Sequence, residues 1–378
     1  MRVLFLQRGH PYYTSQLSSA LCRLGHDVAI ILDQKNPDYV GTGDSDRKAD
    51  YLKLLDPRVQ VFWVELSVSS SLRDIIAGFK SMSQISRLIG QYRPDVIHVH
   101  DEADYRLYGG LALSGRNPTV LVVHDPELHP GYKANKSAGF VKPRMRHAAE
   151  RVIVHGEDIK KRLLDVDIIP ENRIRVVNHG AYDLYLRWRP VESSSKGLRV
   201  LFFGRILEYK GLEYLIKAAP EVVEQVPGVK FVIAGSGPDW QRCKGFIETP
   251  DIFVIHDCNV LDSDVARLFH EASVVVLPYI EASQSGVLAI AYAFGVPSVV
   301  TNVGSLPEVV HDGETGLVVA PRDSHALAEA LVKLLTDSDL RERMGRNAQY
   351  EAENGALSWD SIAAETVNVY HDAMRSAK

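Results

Sequence analysis

Short apolar runs rich in β-branched residues alternate with stretches of helical periodicity along almost the whole chain. The first example is the strand RVLFLQ (2–7), a loop containing Gly9 and Pro11, a helix over 15–25 capped by Gly25, and the strand DVAIIL (27–32). Repeated units of this kind build a parallel sheet with helices on both faces. The pattern therefore predicts an α/β fold.

The predicted strands fall into two sets. The first set continues with 59–64, 95–100, 119–124, 151–155 and 174–178, and the second comprises 198–204, 229–235, 252–256, 273–278, 296–300 and 316–320. Between them, PVESSSKG (190–197) combines Pro, Ser and Gly without periodicity, which is typical of a linker. A chain of 378 residues also exceeds what one hydrophobic core usually serves. We expect two facing doubly wound, Rossmann-like domains with a cleft between them, over 1–190 and 191–357, followed by a helix over 358–378.

Composition and hydropathy exclude several other classes of protein. Hydrophobic residues make up 46% of the chain and charged residues 24%, which excludes a disordered or fibrous protein. The longest nearly apolar stretch, 287–300, is shorter than a membrane span and is broken by Gly295 and Pro297, so we interpret it as a buried helix followed by a buried strand. The N-terminus lacks the apolar segment and the small-residue cleavage site of a signal peptide, so we expect a cytoplasmic protein.

The three cysteines, Cys22, Cys243 and Cys258, lie far apart and show no paired metal-ligand spacing. We expect neither a disulfide framework nor a metal site, and we interpret all three as small core residues.

Charge is distributed unevenly along the chain. Residues 1–190 hold 27 Lys and Arg against 22 Asp and Glu, whereas the remaining residues hold 16 against 26. The basic first half is therefore the better candidate for contact with an anionic acceptor or a membrane surface. No nucleic-acid partner is expected.

A turn after the first strand of the second set carries two cations. In FFGRILEYKG (202–211), Gly204 allows a sharp turn, and Arg205 and Lys210 are spaced to reach one anionic group such as a diphosphate. Taken alone, the turn fits a surface loop with two solvated cations better.

The next strand of this set ends in the small-residue turn AGSGP (234–238). Gly235 and Gly237 permit close approach of a ligand to the backbone, and a plain tight turn explains them equally well.

The most informative stretch runs from 277 to 321. It contains a strand end, a polar loop with the acid Glu281, and the small residues Ser283, Ser285 and Gly286 at a predicted helix start. The free amides of such a helix start can hold a phosphate. Ligands of open parallel sheets bind beyond the carboxyl ends of the strands, where this loop is predicted to lie.

Taken in order, these motifs resemble the retaining nucleotide-sugar glycosyltransferases of the family 4 type, which have the GT-B fold. The resemblance covers nearly the whole chain and is densest over 198–320. There, GR followed by KG, AGSGP, the loop before the buried helix, GVP and PEVVHDGETG occur in the family's order and at roughly its spacing. The ordered set is specific, although each piece alone is not.

The resemblance implies a donor-binding role for the second half. Arg205 and Lys210 would bind and neutralise the donor diphosphate as it leaves, as a divalent metal does in other glycosyltransferases, so no metal and no other cofactor is implied. Glu281 resembles the first acid of the family's motif of two Glu residues, near the transferred sugar. Amides around Ser285 and Gly286 would face the phosphates and the sugar. The implied donor-binding set is completed by Gly204, Gly235, Gly237 and Ser283.

The second Glu of that motif, which normally grips the ribose hydroxyls, is absent. Ala289 lies eight residues after Glu281, and counting back from GVP (295–297) puts Ile290 at the second acid's place. Losing one charged hydrogen-bonding partner costs about 1.5–3 kcal/mol, which weakens a donor site without abolishing it.

In the first half, His124 ends the strand TVLVVH and matches the position of a family His near the donor sugar and the acceptor. Its imidazole would donate a hydrogen bond to a sugar hydroxyl or orient the acceptor. A structural histidine that bonds to its neighbours at the strand end explains the sequence equally well. His98 and His100 alternate with apolar residues, which favours structural roles. Gly9 and His10 lie where the family often has a glycine pair, on the acceptor side.

The segment 133–151 is strongly basic. It fits peripheral contact with the inner face of a membrane or binding of a phosphorylated acceptor, and a solvated basic face fits better. Its cations, set against Glu150 alone, are Lys133, Lys136, Lys142, Arg144, Arg146 and Arg151.

Two elements near the end resemble scaffold parts of the family. PEVVHDGETG (307–316) would place Glu308 at the start of a short helix and Asp312-Gly313 in a turn. The final helix of the family crosses back to the first domain and ties the two together.

We therefore expect a glycosyltransferase of polysaccharide or glycoconjugate biosynthesis. It would move a sugar from a nucleotide-diphosphate sugar to a hydroxyl of a carbohydrate, lipid-linked or small-molecule acceptor. By resemblance, transfer would retain the anomeric configuration and need neither a metal nor a side-chain nucleophile. Two alternatives are a nucleotide-sugar epimerase or hydrolase on the same fold, and a catalytically silent nucleotide-sugar-binding partner, which the absence of acids at Ala289 and Ile290 motivates.

Overall fold

The structure is a computed structural model of the chain, and it describes residues 1–34, 47–66, 72–101, 104–127, 138–190 and 197–377. These residues form two compact units. The first comprises the described residues of Met1–Glu127, Lys133–Asn178 and Trp359–Lys378, and the second comprises His179–Ser358. The division at residue 178 precedes the predicted linker, of which residues 191–196 lie outside the described residues.

The first unit is built on a seven-stranded parallel sheet. Its strands are β1 (Arg2–Gln7), β2 (Asp27–Asp33), β3 (Gln60–Val64), β4 (Val96–His100), β5 (Thr119–Val123), β6 (Arg151–Val154) and β7 (Ile174–Val176), in the order β3-β2-β1-β4-β5-β6-β7. Residues Val3 to Leu6 of the central β1 are almost completely buried, because helices cover both faces of the sheet. The strand order reverses direction between β1 and β4, and ligands commonly bind at such a switch point.

Helices cover this sheet in two layers. One face is covered by α1 (Pro11–Arg23), α2 (Arg47–Leu52) and the last helix of the chain, α14 (Trp359–Ser376). The other face is covered by α3 (Leu72–Tyr92), α4 (Tyr105–Leu113), α5 (Ala138–Ala148) and α6 (Glu157–Val166). Each layer buries its own apolar core against the sheet.

Buried aromatic contacts attach α14 to the first unit. The Tyr370 hydroxyl lies 2.7 Å from Nδ1 of His98 in β4, and both side chains are fully buried. The Trp359 ring meets Tyr13 of α1 edge-on at 5.2 Å. These contacts make the last helix part of the first unit's core.

The second unit is built on a six-stranded parallel sheet. Its strands are β8 (Arg199–Phe203), β9 (Lys230–Ala234), β10 (Phe253–His256), β11 (Val274–Leu277), β12 (Ser298–Thr301) and β13 (Gly316–Val319), in the order β10-β9-β8-β11-β12-β13. Its helices are α7 (Leu212–Gln225), α8 (Trp240–Lys244), α9 (Asp262–Glu271), α10 (Gly286–Ala293), α11 (Leu306–Val309), α12 (Ser324–Thr336) and α13 (Ser338–Glu353). The strand order again reverses at the centre, between β8 and β11.

The α/β fold class is confirmed, and each predicted strand occurs within two residues of its predicted ends. Two details were wrong. α1 begins at Pro11 because proline suits the first helical position, so the predicted loop is shorter. Cys258 is exposed in the loop after the edge strand β10, whereas Cys22 and Cys243 are buried as predicted. Among the described residues, no helix has both the length and the apolar character that crossing a membrane requires.

We predict that Tyr370→Phe destabilises the protein, because it removes the hydroxyl partner of a buried imidazole nitrogen. We expect the free energy of unfolding to fall by about 1–3 kcal/mol. Urea unfolding measures this change as a lower midpoint concentration. Tyr350→Phe is the matched control, since Tyr350 is 61% exposed. Equal midpoints for Tyr370→Phe and the wild type would show that this hydrogen bond does not hold α14.

Candidate functional site

The loop after β8 places Lys210 over Gly204. Gly204 directly follows β8 and has φ +112, a conformation that favours glycine, and its N–H donates to the Ala234 carbonyl at 2.9 Å. A 3-10 turn over Glu208–Lys210 then leads into α7. A Cβ at Gly204 would lie 3.2 Å from Lys210 Nζ and 3.6 Å from Cγ2 of Val287 in α10. The Lys210 ammonium therefore lies beside the first turn of α10.

Gly235 and Gly237 hold the loop after β9 directly against the loop after β8. A Cβ at Gly235 would fall 2.0 Å from the Gly204 carbonyl oxygen, and one at Gly237 would fall 2.0 Å from the Ile206 carbonyl oxygen. The Ile206 N–H donates to the Ser236 carbonyl at 2.9 Å. Contact between the two loops thus requires both glycines.

The first turn of α10 begins at Gly286, and the side chain of its N-cap, Ser285, makes no capping hydrogen bond. Ser285 Oγ lies 3.3 Å from the Tyr279 hydroxyl instead. The Tyr182 ring covers the other side of this turn, since a Cβ at Gly286 would lie 3.1 Å from Tyr182 Cε2. The N–H groups of a first helical turn have no partner inside the helix, so they are available to an anion.

Lys210 supplies a positive charge at this helix start. Its Nζ lies 5.1 Å from the centroid of the Tyr279 ring, a cation–π contact that orients it. Within the part of the chain that the structure describes, Lys210 forms no ion pair with a carboxylate. Arg205 is exposed at the same strand end. An ammonium beside a helix N-terminus is suited to a phosphate group.

The loop that carries Glu281 is fixed by backbone hydrogen bonds at both ends. The Ile280 N–H donates to the Tyr209 carbonyl at 2.7 Å, and the Ser305 N–H donates to the Ser283 carbonyl at 3.1 Å. Ser283 is buried and Glu281 is partly exposed. The loop is therefore attached to the turn that carries Lys210, which holds Glu281 close to that turn.

Ala289 and Ile290 lie in the buried part of α10. Their exposed fractions are 8% and 4%, and the Ala289 carbonyl accepts a hydrogen bond from the Tyr182 N–H at 3.0 Å. A carboxylate at either position would lose most of its hydration. The apolar residues suit this packing, and the acid that would grip a ribose is absent here.

Four histidines follow or end neighbouring strands of the first sheet. His10 follows β1, His100 ends β4, His124 follows β5 and His155 follows β6. Because these strands are adjacent, the rings meet at the carboxyl edge of the sheet. The His124 ring stacks on His10 at 3.8 Å, lies parallel to His100 at 5.2 Å, and is 4.9 Å from His155 between centroids. We call these four residues the histidine cluster.

The backbone of His10 has an uncommon conformation that places its ring in the histidine cluster. It is the N-cap of α1 with φ +57 and ψ +45, in the left-handed region, and Gly9 precedes it. Its side chain makes no capping bond to the helix, and its ring stacks on His124. Gly9 and His10, predicted on the acceptor side, therefore lie at the carboxyl end of β1.

His155 was not among the predicted site residues, and a structural role was favoured for His100. Both residues stand at strand ends, as His124 does, so the recurrence of a strand-end histidine was the signal that could have found them. His98 is different, because it lies deeper in β4 and bonds Tyr370.

Burial keeps the deeper histidines neutral. It lowers the pKa of His155 to about 4 and the pKa of His98 to about 3. Nδ1 of His155 donates to the Val177 carbonyl at 2.8 Å, which fixes that ring. Among the described residues, no group of three or more His, Cys, Asp or Glu side chains has a geometry that could hold a metal ion.

The basic segment is less positive than its sequence indicates. Its residues 133–137 lie outside the described residues. Lys142 and Arg146 both reach Oδ2 of Asp101, at 3.2 and 2.6 Å, and Arg146 also lies 3.5 Å from Asp167. These acids come from other elements, so counting charges within the segment overestimated its free positive charge.

Comparisons with known proteins agree with this architecture. A family model described as Glycosyltransferase Family 4 matches residues 8–181, and one described as Glycosyl transferases group 1 matches residues 197–337. An uncharacterized glycosyltransferase of Methanocaldococcus jannaschii is 30% identical, over 76% of this chain and 77% of its own. The chain belongs to the family 4-type glycosyltransferases.

Further relatives of this glycosyltransferase carry more specific names. A D-inositol 3-phosphate glycosyltransferase of Paenarthrobacter aurescens is 34% identical, over 77% of this chain and 75% of its own. The crystal structure of Anabaena HepE in complex with UDP matches with a TM-score of 0.69 at 17% identity, over 97% of this chain and 100% of that chain. The fold is therefore GT-B, as the motifs predicted.

We predict that Lys210→Met weakens binding of a nucleoside diphosphate about tenfold or more, because it removes a charge-assisted contact to phosphate. The probe is whichever of UDP, GDP, ADP and dTDP most raises the melting temperature, and the measurement is calorimetric titration. Lys217→Met is the matched control, since Lys217 also lies over an aromatic ring, 4.5 Å from Phe246, but on α7. Equal affinities for both variants and the wild type would place the anion elsewhere.

We also predict that acid destabilises the first unit through its buried histidines. Their folded pKa values lie below the usual value of 6.5, so the unfolded chain takes up protons first as pH falls. Each such histidine then lowers the free energy of unfolding by about 1.4 kcal/mol for every pH unit, as pH falls from about 6.5 to the pKa of that histidine in the folded protein. His98→Gln should flatten the fall of the urea midpoint between pH 6.5 and pH 5, and His371→Gln, at an exposed position, should not. Identical slopes for the two variants would contradict this account.

Proposed function

We propose that this glycosyltransferase transfers a hexosyl group from a nucleotide-diphosphate sugar to an acceptor hydroxyl with retention of anomeric configuration. The observation that supports the donor class is the position of Lys210 Nζ over Gly204 and beside the first turn of α10. A diphosphate needs cations and N–H donors at one place, and this strand end offers both.

The same groups would act most strongly on the leaving diphosphate. As the bond between the anomeric carbon and the β-phosphate oxygen breaks, negative charge develops on that oxygen. Lys210, Arg205 and the amides of Gly286 and Val287 would stabilise this charge, which is fixed electrostatic stabilisation of a transition state. No divalent ion is then required for leaving-group departure.

Retention would follow from reaction on one face of the sugar. The departing phosphate oxygen takes the proton of the acceptor hydroxyl, and the acceptor oxygen bonds to the anomeric carbon on that same face. Glu281 would lie near the transferred sugar, and His124 would hydrogen-bond to a hydroxyl of the sugar or of the acceptor. No side chain forms a covalent intermediate.

The acceptor is a hydroxyl-bearing carbohydrate, lipid-linked or small molecule. The similar proteins include one named glycogen synthase, from Mycobacterium tuberculosis, and several named D-inositol 3-phosphate glycosyltransferase, so the molecules in these names range from a polysaccharide to an inositol phosphate. The basic first half of this chain favours an acceptor that carries negative charge.

The deciding experiment incubates the protein with nucleotide sugars and acceptors in excess EDTA. We expect transfer to continue and the product's anomeric proton to show, by NMR, the configuration of the donor. An inverted product or complete loss of transfer in EDTA would contradict the proposed mechanism. Rapid turnover without acceptor would favour an epimerase or hydrolase, and donor-induced thermal stabilisation without any product would favour a silent binding protein.

A further inference from the structure

A hydrogen-bonded chain runs from α1 into the histidine cluster. Thr14 Oγ1 lies 3.2 Å from His100 Nε2, and His100 Nδ1 lies 2.9 Å from His124 Nε2. All three side chains are at least 95% buried. The two imidazole planes are 9° apart and the ring centroids are 5.2 Å apart. With the two nitrogens 2.9 Å apart, this centroid separation puts the bond nearly in both ring planes.

The direction of this chain follows from its first member. Among the described residues, His100 Nε2 is the only hydrogen-bond partner of Thr14 Oγ1. If this hydroxyl accepted a hydrogen bond from His100, its own hydrogen would point at no acceptor, which is costly for a buried group. Thr14 therefore donates to His100 Nε2. A neutral imidazole that accepts at one nitrogen carries its proton on the other.

The proton of His100 is then on Nδ1, which donates to His124 Nε2. That nitrogen is an acceptor, so the proton of a neutral His124 is on Nδ1. Tyr13 meets both rings edge-on, at 89° to each plane, and His10 stacks on His124. These contacts fix the ring planes, and the hydrogen-bonded chain fixes the tautomer.

We propose that Thr14 and His100 are positioning residues that hold His124 as the Nδ1-protonated tautomer, so that His124 presents a hydrogen-bond donor to its ligand. This rests on the proposed role of His124 in sugar transfer. His124 would then donate to a hydroxyl oxygen of the sugar or the acceptor, and it would not remove a proton from the acceptor. The departing phosphate oxygen remains the base.

The test is a long-range 1H–15N correlation spectrum of protein labelled with 15N-histidine, with His124→Phe used to assign the signals. We expect a protonated Nδ1 and an unprotonated Nε2 for His124. Thr14→Val, which keeps the shape and removes the hydroxyl, should give mixed tautomers at His100 and His124 and lower kcat about tenfold. Thr14→Ser should restore both the tautomer and most of the activity.

Thr366→Val is the matched control, because Thr366 is a buried threonine of α14 whose hydroxyl has no hydrogen-bond partner among the described residues. It should change neither the spectrum nor kcat. A protonated Nε2 on His124 in the wild type, or an unchanged His124 tautomer in Thr14→Val, would overturn the proposal. The wild-type spectrum decides even if a variant fails to fold. Because it needs no substrate, absence of sugar transfer with the expected tautomer would overturn only the proposed function.

Discussion

The arrangement of the second unit depends on backbone contacts that leave no room for a side chain. At Gly235 and Gly237, a Cβ would overlap the carbonyl oxygens of Gly204 and Ile206, so the loops after β9 and β8 can meet only because these residues are glycines. That contact fixes the path of the chain from Gly204 to Lys210. It thereby sets the position of the Lys210 ammonium over the end of β8. The Lys210 charge is therefore placed by packing between two loops.

The histidine cluster of the first unit is assembled by a different route. Adjacent parallel strands end at one edge, so one histidine at the end of each of four strands is enough to bring the rings together. Burial lowers the pKa of His10 and the pKa of His155, each to about 4. The rings of His100 and His124 are joined by a single hydrogen bond of 2.9 Å.

Most of the fold was predictable, because the spacing of apolar residues indicates which positions of a strand or helix are buried. The common position of Gly204, Arg205 and Lys210 after β8 was predictable too, since they are close in sequence, and their role in donor binding stays a prediction. What could not be predicted comes from residues distant in sequence. Tyr182 covers the start of α10 from about a hundred residues away, and Asp101, directly after β4, pairs with two cations of the basic segment. Charge counts within one segment cannot include such partners.

We propose that Lys210 and the first turn of α10 form one anion site in the second unit. A crystal structure of the protein with a bound nucleoside diphosphate would show where the phosphates lie. We expect a β-phosphate oxygen within hydrogen-bonding distance, about 2.7–3.2 Å, of both Lys210 Nζ and a backbone N–H of Gly286 or Val287. A diphosphate bound in full occupancy that contacts neither group would contradict it.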